Sequence, residues 1–232
     1  ALMKVEGVEC AGVASNSPDK LKRFVEKYNV HVYSSYNEVI GDDSVDCVYI
    51  PLPPAFHYEW AKKALLAGKH VFLEKPSTTS ADDTRELVGI AGEKGLVVQE
   101  NYMFQFHAQL KEIENLIASG ELGKLRLVRT SFGFPRRAEG DFRYVKELGG
   151  GTMMDNGGYT IKLIDMLLGE SMRLVSSQLD YDEKTGIDIF GTAEFVNDDG
   201  VIAQAAFGMD CQYQCSLELW GSRGRLTTGR IY

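Results

Sequence analysis

The sequence predicts an α/β segment followed by an α+β segment: a doubly wound parallel sheet over residues 1–105, then an open antiparallel sheet carrying one helix over residues 106–232. Two observations carry this. In the first segment short strand-like runs alternate with amphipathic helical stretches, the pattern of parallel βαβ units. In the second, strand-like runs follow one another across polar turns such as Asn197-Asp198-Asp199-Gly200, and strands joined by short turns pair antiparallel.

Taken in order, Ala1–Val8 reads as the tail of a helix ending at Gly7, and Cys10–Ala14 as a strand. Ser15-Asn16-Ser17-Pro18-Asp19 is a turn and N-cap signature. It opens a helix over Leu21–Tyr28, with Leu21, Phe24, Val25 and Tyr28 on one face. Tyr36–Ile40 is a short helical stretch, and Val45–Ile50 a buried strand ended by Pro51-Leu52-Pro53-Pro54. The helix from Ala55 to Leu66 has Gly68 as its C-cap. A strand at His70–Leu73, a helix at Ala81–Glu93 and a strand at Leu96–Val98 complete the segment. A helix over His107–Ala118, closed by Gly120, leads to strands at Leu125–Phe134, Met172–Tyr181, Ile187–Val196, Val201–Phe207 and Cys215–Trp220. One helix, Met153–Leu168, interrupts them.

Composition narrows the function classes. The chain has 232 residues, 44% of them hydrophobic, which is enough for a core in each segment. With 25 basic against 33 acidic residues the net charge is -8, which argues against a nucleic-acid footprint. No apolar run approaches the roughly 18 residues that span a bilayer, so a soluble, cytoplasmic protein is expected. The four cysteines and four histidines lack metal-ligand spacing, and no metal site is expected.

Two stretches carry chemistry. In His70-Val71-Phe72-Leu73-Glu74-Lys75-Pro76 a strand stops with Lys75 at its carboxyl end, where open α/β sheets bind ligands. A turn at Lys75-Pro76 is compatible with a cis peptide bond. The second stretch is Gly149-Gly150-Gly151-Thr152-Met153-Met154-Asp155-Asn156-Gly157-Gly158-Tyr159. Glycines inside the first helical turns cost about 1 kcal/mol each in propensity. The expected reason is backbone pressed against a ligand or against the first domain. Asp155 and Tyr159, four positions apart, share a helix face. Oxidising an alcohol removes a hydride from carbon and a proton from oxygen, and a tyrosine beside a cation can handle that proton. Lys75 is the candidate cation. Singly, each residue has a plainer reading: an exposed lysine, a packed helix tyrosine, a carboxylate favoured by the helix dipole.

Together these stretches resemble the Gfo/Idh/MocA oxidoreductases, the family of glucose-fructose oxidoreductase, inositol dehydrogenase and dimeric dihydrodiol dehydrogenase. The matching residues are Val13–Ser17, Val45–Pro53 with His57, Ala67–Pro76, Tyr102–His107, and Gly149–Gly151 through Asp155 and Tyr159. The resemblance implies a Rossmann-like domain that binds NADP or NAD, and a C-terminal open sheet that covers the nicotinamide and binds a sugar, polyol or related cyclic alcohol or ketone. It makes Lys75 catalytic and Tyr159, with Asp155, the proton shuttle. A tyrosine there is more like the glucose-fructose oxidoreductase and dihydrodiol dehydrogenase branch. It places Ser15 and Asn16 at the adenosine ribose and Pro51, Leu52 and Pro53 along the nicotinamide, with His57 and Glu74 completing the cofactor set. An acidic residue after this strand would favour NAD and an arginine NADP; the chain carries Ser15, Asn16 and, further on, Lys20, which leans to NADP. Substrate choice is expected to rest on Tyr102, Phe104, Arg143, Asp155, Asn156 and Tyr159.

The family's first strand and glycine-rich phosphate loop would precede Ala1, and its last strands would follow Gly224. Pro54 stands where relatives often carry a polar residue. The resemblance also implies a homo-oligomer, a dimer or tetramer, formed through the exposed sheet face. The rival from another class is a non-catalytic cofactor- or sugar-sensing regulator of the same fold.

Overall fold

The structure, a computed structural model, describes residues 4–232. The chain divides into two compact units, Ala1–Leu52 with Phe56–Glu100 and Pro53–Ala55 with Asn101–Tyr232. Of the helix tail expected over residues 1–8, residues 1–3 lie outside the described part. Residues 4–7 form a turn that ends at Gly7 with φ +77°.

In the first unit β1 (Gly12–Val13) and β2 (His31–Val32) run parallel on either side of α1 (Pro18–Tyr28) in the chain. A Cβ on Gly12 would fall 2.6 Å from the Tyr33 ring and 2.7 Å from the His31 carbonyl oxygen, so only glycine fits there. Pro18 sits at the start of α1, where a helix has no use for its N–H, and Asn29 ends the helix in the left-handed conformation. After α2 (Tyr36–Gly41) come β3 (Cys47–Ile50), α3 (His57–Leu66), β4 (His70–Glu74), α4 (Ala81–Lys94) and β5 (Val98–Asn101). The sheet order is β3-β4-β5, with β3 parallel to β4 from Cys47 opposite His70 to Ile50 opposite Leu73. Alternate residues of β4, Val71 and Leu73, are buried in one cluster with Ala61, Ala64 and Leu65 of α3 and Leu87 and Ala91 of α4. Burial of each large aliphatic side chain contributes about 1.5–3 kcal/mol. This fixes the height at which β4 delivers Lys75. Among the described residues β1 and β2 pair only with each other, so the expected parallel sheet appears as two ladders.

The second unit opens with α5 (Ala108–Ala118) and β6 (Leu125–Gly133). A long irregular stretch follows, then a π-helical turn (Met153–Gly157) that continues into α6 (Gly158–Leu168). The remaining strands are β7 (Arg173–Tyr181), β8 (Asp188–Val196), β9 (Ile202–Gly208), β10 (Gln214–Gly221) and β11 (Arg225–Thr228). Their order in the sheet is β11-β10-β6-β9-β8-β7. Every pairing is antiparallel except β6 with β9, which is parallel from Leu127 opposite Ile202 to Gly133 opposite Gly208. The expectation of a wholly antiparallel sheet is corrected at this pair. Hairpin logic applies to β7-β8-β9, but β6 meets that meander across α6, so neighbours in space are not neighbours in sequence. One face of the sheet buries Val128, Ala203, Ala205, Phe207, Leu217 and Leu219 with Leu163 and Ile164 of α6. That packing seats the π-turn on the ends of β6 and β9.

Candidate active site

Three strands of the first unit end near residues expected to meet a cofactor. β1 is followed by Ser15, whose hydroxyl accepts the Ser17 amide at 3.1 Å, and by the exposed Asn16; Lys20 is exposed in the first turn of α1. β3 is followed by Pro51 and Leu52, and β4 by Lys75 and Pro76. The Lys75–Pro76 bond is cis. His57, the first residue of α3, is completely buried and joins two of these loops. Its Nδ1 lies 2.8 Å from the Pro76 carbonyl oxygen and its Nε2 lies 2.7 Å from that of Leu52. The Tyr49 hydroxyl donates to Glu74, and burial together with that bond pushes the Tyr49 phenol well above its usual range. Lys75 is half-buried beside them.

In the second unit the glycine-rich stretch has internal reasons for each glycine. Gly149 and Gly151 have φ of +78° and +118°, where L side chains are strained. A Cβ on Gly150 would lie 2.5 Å from the Arg143 carbonyl oxygen, and one on Gly151 would lie 2.2 Å from Asp188 Oδ1. Asp188 reaches this turn from the start of β8, and its Oδ2 accepts the Met153 amide at 2.6 Å. The carboxylate thus satisfies a helix-start N–H that has no partner within the helix. Burial raises the Asp188 pKa in spite of that bond. Asn156, 1% exposed, closes the other side of the turn. Its amide nitrogen donates to Phe132 O at 2.7 Å and Gly208 O at 2.8 Å, and its oxygen accepts the Thr152 hydroxyl.

The reactive candidates flank this clamp. Arg143 Nε donates to Asp155 Oδ2 at 2.7 Å, and its Nη1 donates to Asp141 at 3.2 and 3.4 Å. Burial alone would lower the Arg143 pKa, but the two carboxylates outweigh it and the net shift is upward. Tyr159 stands in a collar of rings, with centroids at 5.0 Å for Tyr102, 5.7 Å for Phe104, 5.2 Å for Phe132 and 5.6 Å for Tyr232. Burial drives the Tyr232 hydroxyl far above its usual range, and that hydroxyl shares a hydrogen bond with Thr130. Gly158 leaves room for Tyr102, whose hydroxyl oxygen would be 2.2 Å from a Cβ there.

Comparison with known proteins places this geometry. Residues 1–102 match the model of the oxidoreductase family with an NAD-binding Rossmann fold, and residues 110–227 match the GFO/IDH/MocA C-terminal domain. The chain belongs to the Gfo/Idh/MocA oxidoreductases. Among relatives, the dTDP-3,4-didehydro-2,6-dideoxy-α-D-glucose 3-reductase of Saccharopolyspora spinosa is 37% identical over 232 residues, covering all of this chain and 70% of the relative. The enzyme of the same name from Streptomyces violaceoruber is 39% identical over 226 residues, covering 97% of this chain and 66% of the relative. A 3-ketoreductase from Actinomadura kijaniata, solved in complex with NADP and TDP-benzene, superposes with a TM-score of 0.96 at 35% identity, covering all of this chain and 71% of that one.

Within this Gfo/Idh/MocA chain several of the expected site residues have partners inside their own unit. Asn156, expected at the substrate, has its amide fully used inside the second unit. Phe104 is 3% exposed and Tyr102 6%, and both belong to the hydrophobic cluster behind Tyr159. Their rings pack against that of Tyr159. His57, expected at the cofactor, is a brace: its two nitrogens are taken by carbonyls of the loops that carry Leu52 and Pro76. Arg143, expected at the substrate, is paired through its Nε with Asp155. Asp155 and Tyr159 straddle the junction of π and α helix, where the Gly158 amide reaches back to Met153 O, so the simple four-residue face is rewound. Asp188, Thr152, Phe132 and Tyr232 were missed; their partners lie far away in sequence, and no local pattern points to them.

Proposed function

We propose that the protein is an NADP-dependent reductase of a ketone carried on a nucleotide-linked sugar, with Lys75 and Tyr159 handling the proton. The observation that carries this reading is the whole-chain likeness to the NADP-bound 3-ketoreductase of A. kijaniata. That enzyme has also been solved with one tyrosine changed to phenylalanine and one lysine changed to alanine, and those two positions are as far apart in its sequence as Lys75 and Tyr159 are here.

The residues present fit a dinucleotide. Exposed Asn16 and Lys20 follow β1 and offer a polar and a cationic contact, while Pro51, Leu52 and the half-buried Lys75 stand at the carboxyl ends of β3 and β4, where such ligands bind. When bound, the nicotinamide supplies the hydride. The chain supplies the rest. Tyr159 Oη donates a proton to the ketone oxygen as the alcohol forms, and the Lys75 ammonium favours the phenolate left behind. Asp155, held by Arg143, orients the sugar hydroxyl beside the reacting carbon. The aromatic collar keeps the phenol in one rotamer and keeps water from its flanks.

The test is NADPH consumption by the full-length protein with a dTDP-linked 3-ketosugar. Lys75→Ala is expected to abolish turnover while NADPH affinity stays within about tenfold, and Tyr159→Phe to lower kcat on the order of 10²-fold or more. A fully active Lys75→Ala protein refutes the assignment. NADPH binding without turnover across a sugar panel favours the sensing regulator.

A further inference from the structure

One arginine near Tyr159 has no use in the scheme above. Segment 134–146 carries Arg136, Arg137, Arg143 and Lys146 against Glu139 and Asp141, in a chain whose net charge is -8. Arg136 Nη2 is 2.9 Å from Asp182 Oδ2, and Arg143 is bound to Asp141 and Asp155. Arg137, exposed, has no carboxylate partner among the described residues, and none of its guanidinium donors is engaged there. Its charge is nevertheless held in place. The guanidinium carbon sits 4.7 Å from the centroid of the Phe134 ring, and the Arg137 amide donates to the Tyr144 hydroxyl at 2.9 Å, which donates in turn to Met209 O at 3.4 Å. A cation fixed over an aromatic face, with its N–H donors unused, suits a bidentate oxyanion.

Its position completes the case. Phe134 lies 6.2 Å from Phe132, and Phe132 lies 5.2 Å from Tyr159, so Arg137 stands two ring contacts beyond the phenol. A free hexose with its carbonyl at Tyr159 carries no oxyanion for a guanidinium two ring contacts away, whereas a hexosyl diphosphate extends a doubly charged one from its anomeric carbon. We propose that Arg137, backed by Phe134, binds the diphosphate of a nucleotide-linked substrate and so selects it over the free sugar. This rests on the reading of the protein as a nucleotide-sugar reductase. A diphosphate also occurs in the dinucleotide, so the test has an arm for each source.

The probes are thymidine diphosphate and NADPH, titrated calorimetrically into full-length wild-type, Arg137→Gln and Arg137→Lys proteins. Arg137→Gln is expected to weaken thymidine diphosphate at least tenfold with NADPH affinity unchanged, and Arg137→Lys to recover part of the loss. Added salt should weaken binding to wild type more than to Arg137→Gln. Thymidine diphosphate affinity within twofold of wild type in Arg137→Gln overturns the inference, as does a loss confined to NADPH. Wild-type protein that turns over a dTDP-linked ketosugar while the variant binds normally sinks this site alone. Wild-type protein that reduces only free sugars and ignores thymidine diphosphate sinks the parent reading too.

Discussion

Gly158→Ala probes how Tyr159 is held. In a helix the change from glycine to alanine gains about 1 kcal/mol. Here the new Cβ would sit 2.2 Å from the Tyr102 hydroxyl oxygen. Tyr102 cannot swing aside cheaply: it is 6% exposed, and its ring packs edge-on against Tyr159 at 5.0 Å and Phe104 at 6.0 Å. Forcing a buried ring to shift costs about 1–3 kcal/mol. The net is a loss of about 0–2 kcal/mol, which for a chain of this size lowers Tm by up to about 8 °C. Gly157→Ala is the control, since its Cβ meets Phe207 at 3.2 Å and Met153 Sδ at 3.3 Å, contacts that small adjustments relieve. Thermal unfolding by circular dichroism and kcat with NADPH are measured on both. Gly158→Ala should lose kcat well beyond Gly157→Ala, because the displaced Tyr102 ring presses on the phenol. A Gly158→Ala protein that melts about 2–4 °C higher, the propensity gain alone, with kcat unchanged, would show that Tyr102 does not fill that space.

Asn156→Ala removes the side-chain donor from the Phe132 carbonyl oxygen and orphans the Thr152 hydroxyl, while the Gly208 carbonyl oxygen keeps the Phe134 amide at 3.1 Å. At about 1–3 kcal/mol for each buried group left unsatisfied, a loss of about 2–5 kcal/mol is expected as a lower urea midpoint with unchanged slope, and a loss below about 1 kcal/mol contradicts the clamp. Arg143→Gln leaves the mostly buried Asp155 without its cation; destabilisation of about 1–3 kcal/mol is expected in the same assay, together with a shift of the kcat pH profile that Arg143→Lys largely restores. The Asp182 carboxyl is lowered to about 2 by the Thr185 amide, Arg136 and the Lys184 amide. A lowered folded pKa contributes stability that is complete above the ordinary value of 3.8 and is lost as pH falls through about 2. Asp182→Asn should therefore flatten the pH dependence of stability between about 4 and 2, and an unchanged acid limb would contradict it.

What the sequence made legible, and what it hid, divides along physical lines. Helices α1, α3, α4 and α5 were readable because apolar spacing and local stop signals such as Gly68 and Gly120, both at positive φ, lie within a few residues of what they control. The placement of Lys75 at the carboxyl end of β4 was readable for the same reason, since strand, carboxylate, amine and proline are contiguous. β2 has two residues and β11 four, too short for alternation to register. The parallel pairing of β6 with β9 and the reach of Asp188 to Met153 depend on how far-separated segments meet, which no local window reports.

The glycine-rich stretch shows where such reading misleads. Its cost in helix propensity was real, and the inference that something bulky approaches was sound; the approaching groups are Asp188, the Arg143 carbonyl, Phe207 and Tyr102, all within the second unit. Asn156 misleads in the same way, because a polar residue between Asp155 and Tyr159 looks like a ligand contact whether it faces outward or clamps two strand ends. Chemistry-bearing side chains announce themselves by type, whereas the residues that aim them are recognised only by their partners. A substitution at Asn156, Gly158 or Asp188 should therefore disturb catalysis through geometry while leaving every reactive group present, which separates aiming from reacting in a way that Lys75→Ala and Tyr159→Phe cannot.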